Sequence, residues 1–219
     1  MSEEWRIWLY PFGFLSGIFF GLRFLVQWLQ SERAGKSIVP ALFWKLSIVG
    51  NLLLFAHSFI QIHFPLCLVQ ALNIVLFWRN LNLMQPKKKQ VSFQTVLTFL
   101  VTVGLGTVFL FAYQGAWLET PHSFSKVTAV SWWAHVIGIV GIASYSIRFW
   151  IQWWLAETNK TSELFEIFWW LSLTGSVFCT IYFYLMNDLV NLVGPLLSFI
   201  PYGRNLWLIL RAKPARERG

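Results

Sequence analysis

Charge is what this sequence has least of. Asp, Glu, Lys and Arg make up 12% of its 219 residues, against 57% hydrophobic and 19% aromatic residues. An ordinary soluble domain carries about 25% charged residues, and the mean hydropathy here is +0.57. So little charge cannot cover a water-facing surface, which excludes a soluble globular body. Cysteine is scarce as well. Cys67 and Cys179 each fall in an apolar run, with no Cys-x-x-Cys or Cys/His spacing nearby, which speaks against a disulfide framework and a zinc site. His57, His63, His122 and His135 do not cluster either, so no metal and no cofactor is implied. The opening Met1-Ser2-Glu3-Glu4 lacks the basic region of a secretory signal, and the first apolar segment is expected to belong to the mature protein. Alternation at a period of two residues is missing too. In lipid, that leaves helices rather than a barrel.

What remains is a series of long apolar runs. A spanning helix needs ~20 largely apolar residues, and seven such segments are predicted, over residues 8–29, 38–60, 64–84, 95–118, 132–155, 164–186 and 189–210. The fourth contains no charge; the third and seventh are each interrupted by an arginine. With the N-terminus outside, the cytosolic side collects all of the 17 Lys and Arg residues except Arg6 and Lys126. That bias follows the positive-inside rule and places the C-terminus in the cytosol. The formal charge of +8 therefore belongs to a membrane surface and not to nucleic acid, because the basic residues flank apolar segments.

The sequence also repeats itself. Arg23-Phe24 with Gln27-Trp28 recurs as Arg148-Phe149 with Gln152-Trp153, an offset of 125 residues between Arg23 and Arg148. The same offset relates Glu32 to Glu157, Ser37 to Ser162, Phe43-Trp44 to Phe168-Trp169, Ser47 to Ser172 and Gly50 to Gly175. It still holds from Arg79-Asn80-Leu81 to Arg204-Asn205-Leu206. A register kept without a gap indicates duplication. The expected architecture is an all-α membrane protein with seven transmembrane helices in a 3+1+3 order. The first three-helix repeat covers 8–84, a linker with an adaptor helix covers 85–131, the second repeat covers 132–210, and a basic tail covers 211–219. Four crossings separate the first and fifth helices, so the two copies run parallel, an arrangement known among transporters.

The pattern Arg23, Gln27-Trp28, Ser31-Glu32, Ser37, Pro40, Phe43-Trp44, Ser47, Gly50, Gln70 and Arg79-Asn80-Leu81 resembles the lipid-A-disaccharide synthase N-terminal domain family, a branch of the PQ-loop and SWEET-like membrane proteins. The doubled arrangement is similar to the membrane-embedded front end of chlamydia-type lipid-A-disaccharide synthases. The resemblance implies a multi-pass protein of the bacterial inner membrane, a role in lipid A assembly, and a cytosolic glycosyltransferase as partner. The second copy departs from the pattern where Ala156 matches Ser31, Phe165 matches Pro40 and Pro195 matches Gln70. With Gly219 as its last residue, the chain is expected to leave any catalytic step to another polypeptide or a downstream part, and no residue is assigned as catalytic.

Four arginines form the main constellation. Arg23 follows an uncharged run from Ile7, and Arg79 one from Phe64. Fifteen residues of helix rise roughly 22 Å against a ~30 Å core, which puts these arginines in the cytosolic leaflet. Arg23, Arg79, Arg148 and Arg204 either clamp a phosphate headgroup bidentately or snorkel as anchors that tie helices together. Gln27 and Gln152 share a helix face with their arginines. With Asn80, Asn205, Asn73 and Gln70, they either bind sugar hydroxyls or join helices. Trp28 and Trp153 read as interface belt residues or as sugar-stacking platforms. Ser47, Gly50, Ser172 and Gly175 read as close-packing positions. Glu32 and Glu157 read as an acid–base pair or as partners of a nearby Arg or Lys. Pro40 is the candidate hinge. The leading reading is a module that anchors a synthase or presents phosphorylated acyl-glucosamine lipid at the inner leaflet; the alternative is a SWEET-like transporter or flippase of a sugar or lipid-linked sugar.

Reporter fusions at Lys88 and Gly219 are expected to read cytosolic, and fusions near Glu119 and Asp188 external. A cytosolic signal at Asp188 would overturn the seven-helix topology.

Overall fold

The computed structural model describes residues 11–60, 64–114, 132–185 and 189–216. Among them are seven α-helices: α1 (Pro11–Ala34), α2 (Ala41–Ile60), α3 (Phe64–Leu83), α4 (Phe93–Gln114), α5 (Trp132–Asn159), α6 (Glu166–Leu185) and α7 (Leu189–Arg216). A single 3-10 turn, Lys87–Lys89, precedes α4. Parts of the predicted segments at 8–10, 115–118 and 186 lie outside the described residues. Among the described residues the largest differences are that α1, α5 and α7 run on to Ala34, Asn159 and Arg216, taking in polar residues a hydropathy reading stops at. The tail from 211 is therefore helical through Arg216.

Local chemistry sets the helix ends. Gly35 follows α1 with φ of 65°, and Lys160 follows α5 with φ of 54°. Both adopt the left-handed conformation that commonly terminates a helix. Pro40 stands just before α2, where its carbonyl accepts the Phe43 N–H at 2.9 Å; Phe165 does the same for Phe168 before α6. The first turn of α4 is capped by Ser92, whose Oγ accepts the Thr95 N–H at 3.2 Å, as an N-cap side chain should.

Among the described residues, five stretches are long and apolar enough to cross a membrane: Ala41–Phe59, Leu66–Leu83, Lys87–Tyr113, Trp132–Asn159 and Glu166–Leu185. The helices α1 and α7 carry more charge, amide and proline, and fall short of that mark. On α4 the large side chains Leu105, Phe109 and Tyr113 lie in the open, Phe109 with 70% of its surface exposed. An apolar face so bare suits lipid and not water.

The chain groups into two compact units. The first draws on Met1–Val26, Pro40–His122 and Asn159–Ser162; the second on Gln27–Val39, Ser123–Thr158 and Glu163–Gly219. In the first, α2 packs on α3 and α3 on α4. Its core runs from Phe43, Trp44 and Phe77 to a second cluster in which Cys67 and Phe111 pack with Phe55, Phe59 and Phe64. In the second, α6 packs on α7 around Phe149, Phe168, Trp169 and Tyr202. Each unit thus contains a segment from the other sequence repeat, the end of α1 with its following loop in one case and a short loop in the other, and the boundary of compactness is not the boundary of duplication.

Two related glycines admit an aromatic ring in each unit. A Cβ at Gly50 would sit 2.6 Å from the Phe20 ring, and one at Gly175 would sit 2.7 Å from the Tyr145 ring. Gly106 on α4 faces open space. Gly50→Ala and Gly175→Ala are each expected to cost about 1–3 kcal/mol through overpacking. Gly106→Ala should gain a few tenths to about 1 kcal/mol from helix propensity. Thermal unfolding of the purified variants separates the two outcomes.

Candidate functional site

The repeat places its first arginine in the same setting twice. Arg23 on α1 is buried, with Nη1 donating to Ser47 Oγ at 3.1 Å. Its guanidinium carbon lies 4.7 Å from the ring centres of both Phe20 and Phe24, and 5.5 and 5.9 Å from those of Phe43 and Phe77. Arg148 on α5 donates to Ser172 Oγ at 2.9 Å and to the Tyr202 hydroxyl at 3.1 Å. It lies 4.5 Å from the Tyr145 ring, 4.9 Å from Phe149, 5.3 Å from Phe168 and 5.5 Å from Tyr202. Each aromatic in one cage has its partner at the repeat offset in the other. Every such contact is worth about 0.5–2 kcal/mol when shielded from water. The serines close the arrangement by donating onward, Ser47 to the Phe43 carbonyl and Ser172 to the Phe168 carbonyl, both at 2.6 Å.

The amides pair across the sequence repeat. Gln27 Nε2 donates to Asn205 Oδ1 at 2.6 Å, and Asn205 Nδ2 donates back to Gln27 Oε1 at 2.9 Å. Ser37 donates to the same Asn205 oxygen at 2.9 Å. The loop between α1 and α2 is held to its own helix through Ser31, whose Oγ accepts the Ile38 N–H at 3.0 Å. The related contact in the other unit runs from Ser162 to Asn80 Oδ1 at 3.0 Å. Gln152 donates to the Glu163 carbonyl at 3.2 Å, as Gln27 does to that of Ile38. These bonds tie Gln27, Asn80, Gln152 and Asn205 to neighbouring helices and loops.

The last arginines of the two repeats differ. Arg204 on α7 forms a two-pronged salt bridge with Glu32 through Nε and Nη2, the latter at 2.7 Å. It also lies 4.2 Å from the Trp207 ring. Trp28 Nε1 donates to the same carboxylate at 3.1 Å. Hydrogen bonding from Arg204 holds the Glu32 carboxyl below its ordinary value, against the opposing effect of burial, with Trp28 assisting. Of the two sequence readings for Glu32, the ion pair is the one found. Arg79 on α3 is buried and donates through Nη1 to Asn82 Oδ1 at 2.7 Å and to the Val91 carbonyl at 2.9 Å. It borders a cavity of about 380 Å³ that Lys87 and Lys160 also line.

Gln70 and Asn73 are buried along α3, and Trp153 is buried on α5 beside Trp150 at 6.1 Å. Among the described residues no group of three His, Cys, Asp or Glu side chains could hold a metal ion. Sequence reasoning passed over Tyr145, Tyr202 and Asn82. The repeat offset held the signal for the tyrosines, since they match Phe20 and Phe77, both beside an arginine. Asn82 matches Trp207, and nothing in the repeat marks it.

A family model described as Lipid A Biosynthesis N-terminal domain matches residues 12–82 and again 137–207, the same 125-residue offset. The chain is similar to proteins named lipid-A-disaccharide synthase. It is 34% identical to that of Chlamydia abortus over 95% of this chain and 34% of the relative. It is 35% identical to that of Chlamydia caviae over 93% and 33%, and 33% identical to that of Chlamydia pneumoniae over 93% and 34%. The chain therefore spans about a third of the length of these relatives. No solved structure matches it.

The Glu32–Arg204 bridge predicts acid sensitivity. With its carboxyl held below the ordinary 4.5, Glu32 contributes stability that is fully present above that pH and lost as pH falls through the lowered value. Glu32→Gln should remove this part of the acid dependence of thermal unfolding. Asn205→Ala, which leaves Gln27 and Ser37 without their shared acceptor, should cost about 1–3 kcal/mol at neutral pH.

Proposed function

Because the chain belongs to the Lipid A Biosynthesis N-terminal domain family, we propose that it is a multi-pass module of the bacterial inner membrane that presents a phosphorylated acyl-glucosamine lipid to a cytosolic glycosyltransferase. In this reading its helices run 3+1+3, PQ-loop- and SWEET-like, with residues 8–84 and 132–210 as parallel repeats and α4 as the adaptor. The N-terminus is outside and the C-terminus inside, so the basic loops meet the inner-leaflet headgroups. The fit between a phosphorylated lipid and a basic cytosolic rim supports this direction.

The observation that carries the proposal is the setting of Arg79. Its guanidinium is pinned by Asn82 and the Val91 carbonyl at the edge of a cavity where lysines converge. A fork held rigid in this way loses little freedom when it meets a phosphate. Of the four sequence-predicted arginines, Arg79 takes the headgroup role. Arg23 and Arg148 hold their helices through the aromatic cages, and Arg204 holds the end of α1 at Glu32. The amides at positions 27, 80, 152 and 205 serve the scaffold behind the site.

A SWEET-like transporter or flippase is the second reading, favoured by the duplicated three-helix order. It needs a mobile gate, and Pro40, at the entry of α2, is its candidate hinge. Depleting the protein from its host should raise the acylated monosaccharide phosphate and lower the lipid A disaccharide severalfold, measured by mass spectrometry of extracted lipids. Unchanged disaccharide together with lost sugar or glycolipid flux in reconstituted vesicles would move the assignment to transport.

A further inference from the structure

We propose that the cavity at the end of α3 is a phosphomonoester site, formed at the last arginine of the first repeat and not at that of the second, with Lys160 as the residue that makes the difference. Its occupant is a lipid-borne phosphate, and for the identity of that lipid the inference rests on the function proposed above.

Three cations line the cavity, Arg79, Lys87 and Lys160, and no carboxylate does. At about 380 Å³ it falls in the range of about 300–1,000 Å³ usual for small-ligand sites. Its floor is the entry to α4, where Ser92 and Phe93 open the helix. The positive dipole end of a 22-residue helix, whose first turn Ser92 caps, adds to the field there. Gln90 also lines it, with its amide nitrogen tied to the Leu83 and Gln85 carbonyls. Around a dianionic phosphate, a guanidinium fork and two ammonium groups form the charge-assisted bonds that a monoester exploits fully and a diester only partly.

Lys160 supplies the independent argument. Its φ of 54° is the left-handed conformation that side chains with a Cβ avoid. The matching position in the first repeat is Gly35, at φ of 65°, where the same turn forms without strain. A lysine where the other repeat has glycine, in a strained turn that lines a cavity, points to a use for its charge. The repeat-related place keeps its arginine but loses two other components. Lys87 corresponds to Ala212 and Asn82 to Trp207, while Arg204 is engaged by Glu32. Duplication made two equivalent places, and substitution left one basic cavity.

The test is isothermal titration calorimetry on the full chain in detergent micelles, with short-chain phosphatidic acid, phosphatidylcholine of the same chain length, and inorganic phosphate as probes. Phosphatidic acid should bind saturably and phosphatidylcholine should not. Lys87→Gln and Lys160→Gly should each weaken phosphatidic acid binding about five- to tenfold. Lys160→Gly should unfold at the same or a higher temperature, since glycine suits the turn, so its lost affinity cannot be ascribed to misfolding. Lys88→Gln, next door but not lining the cavity, should bind within about twofold of the parent if the effect is local. Parent-like affinity in Lys87→Gln and Lys160→Gly would overturn the site, and so would an equal loss in Lys88→Gln, which would mean diffuse surface charge. Inorganic phosphate binding as tightly, with the same variant pattern, would support the cavity with a soluble source of the phosphate. Intact phosphatidic acid binding with normal lipid A output on depletion would count against the proposed function and leave the site standing. Lost variant discrimination with lowered output would do the reverse.

Discussion

The structure is organised around the cost of keeping a guanidinium inside an apolar bundle. A guanidinium buried among apolar side chains is costly unless it finds charge-compensating and hydrogen-bonding partners in the protein. Arg23 and Arg148 find them in four aromatic faces and a serine each, Arg148 also in a tyrosine hydroxyl. The rings can approach because Gly50 and Gly175 leave space on the next helix, and the serines can accept because their own hydrogens go to the preceding turn. Glycine, ring, serine and arginine therefore form one dependency, built twice, and it fixes how the first helix of each repeat meets the second.

The second organising feature is that the repeats lean on each other's loops. The Gln27–Asn205 pair and the Ser37–Asn205 and Ser162–Asn80 bonds join residues far apart in sequence into single compact units. Neither repeat satisfies these buried amides from its own residues alone, and an unpaired buried amide is expensive. Each compact unit thus draws on both copies of the duplication. Against that near-symmetry, the last arginines stand out. Arg204 is committed to Glu32 and Trp207, whereas Arg79 is braced by Asn82 at a cationic cavity. Chemical asymmetry on a symmetric scaffold is where a specific ligand role is expected to sit, because scaffold demands would act on both copies alike.

The sequence by itself determined the all-helical class with helices apolar enough to span a membrane, because so little charge and no two-residue alternation leave few other solutions. It also determined the duplication, since an ungapped offset survives in the side chains that packing cannot exchange, from Arg23/Arg148 to Asn80/Asn205. The family match at residues 12–82 and 137–207 falls on that offset. What it left open was the division of labour among the four arginines, which look alike in a linear pattern. Their partners are long-range: Tyr202 lies 54 residues from Arg148, and Glu32 lies 172 from Arg204. Periodicity reports which face a residue occupies and not what stands across from it. The helix overruns past residues 29, 155 and 210 escaped for a related reason, since hydropathy ends where polar residues begin while the backbone hydrogen bonds continue. Only the tertiary structure brought Lys160 of one repeat to the cavity beside Arg79 of the other, because loop placement depends on which amides and carboxylates lie within reach, and that is a property of the packed chain.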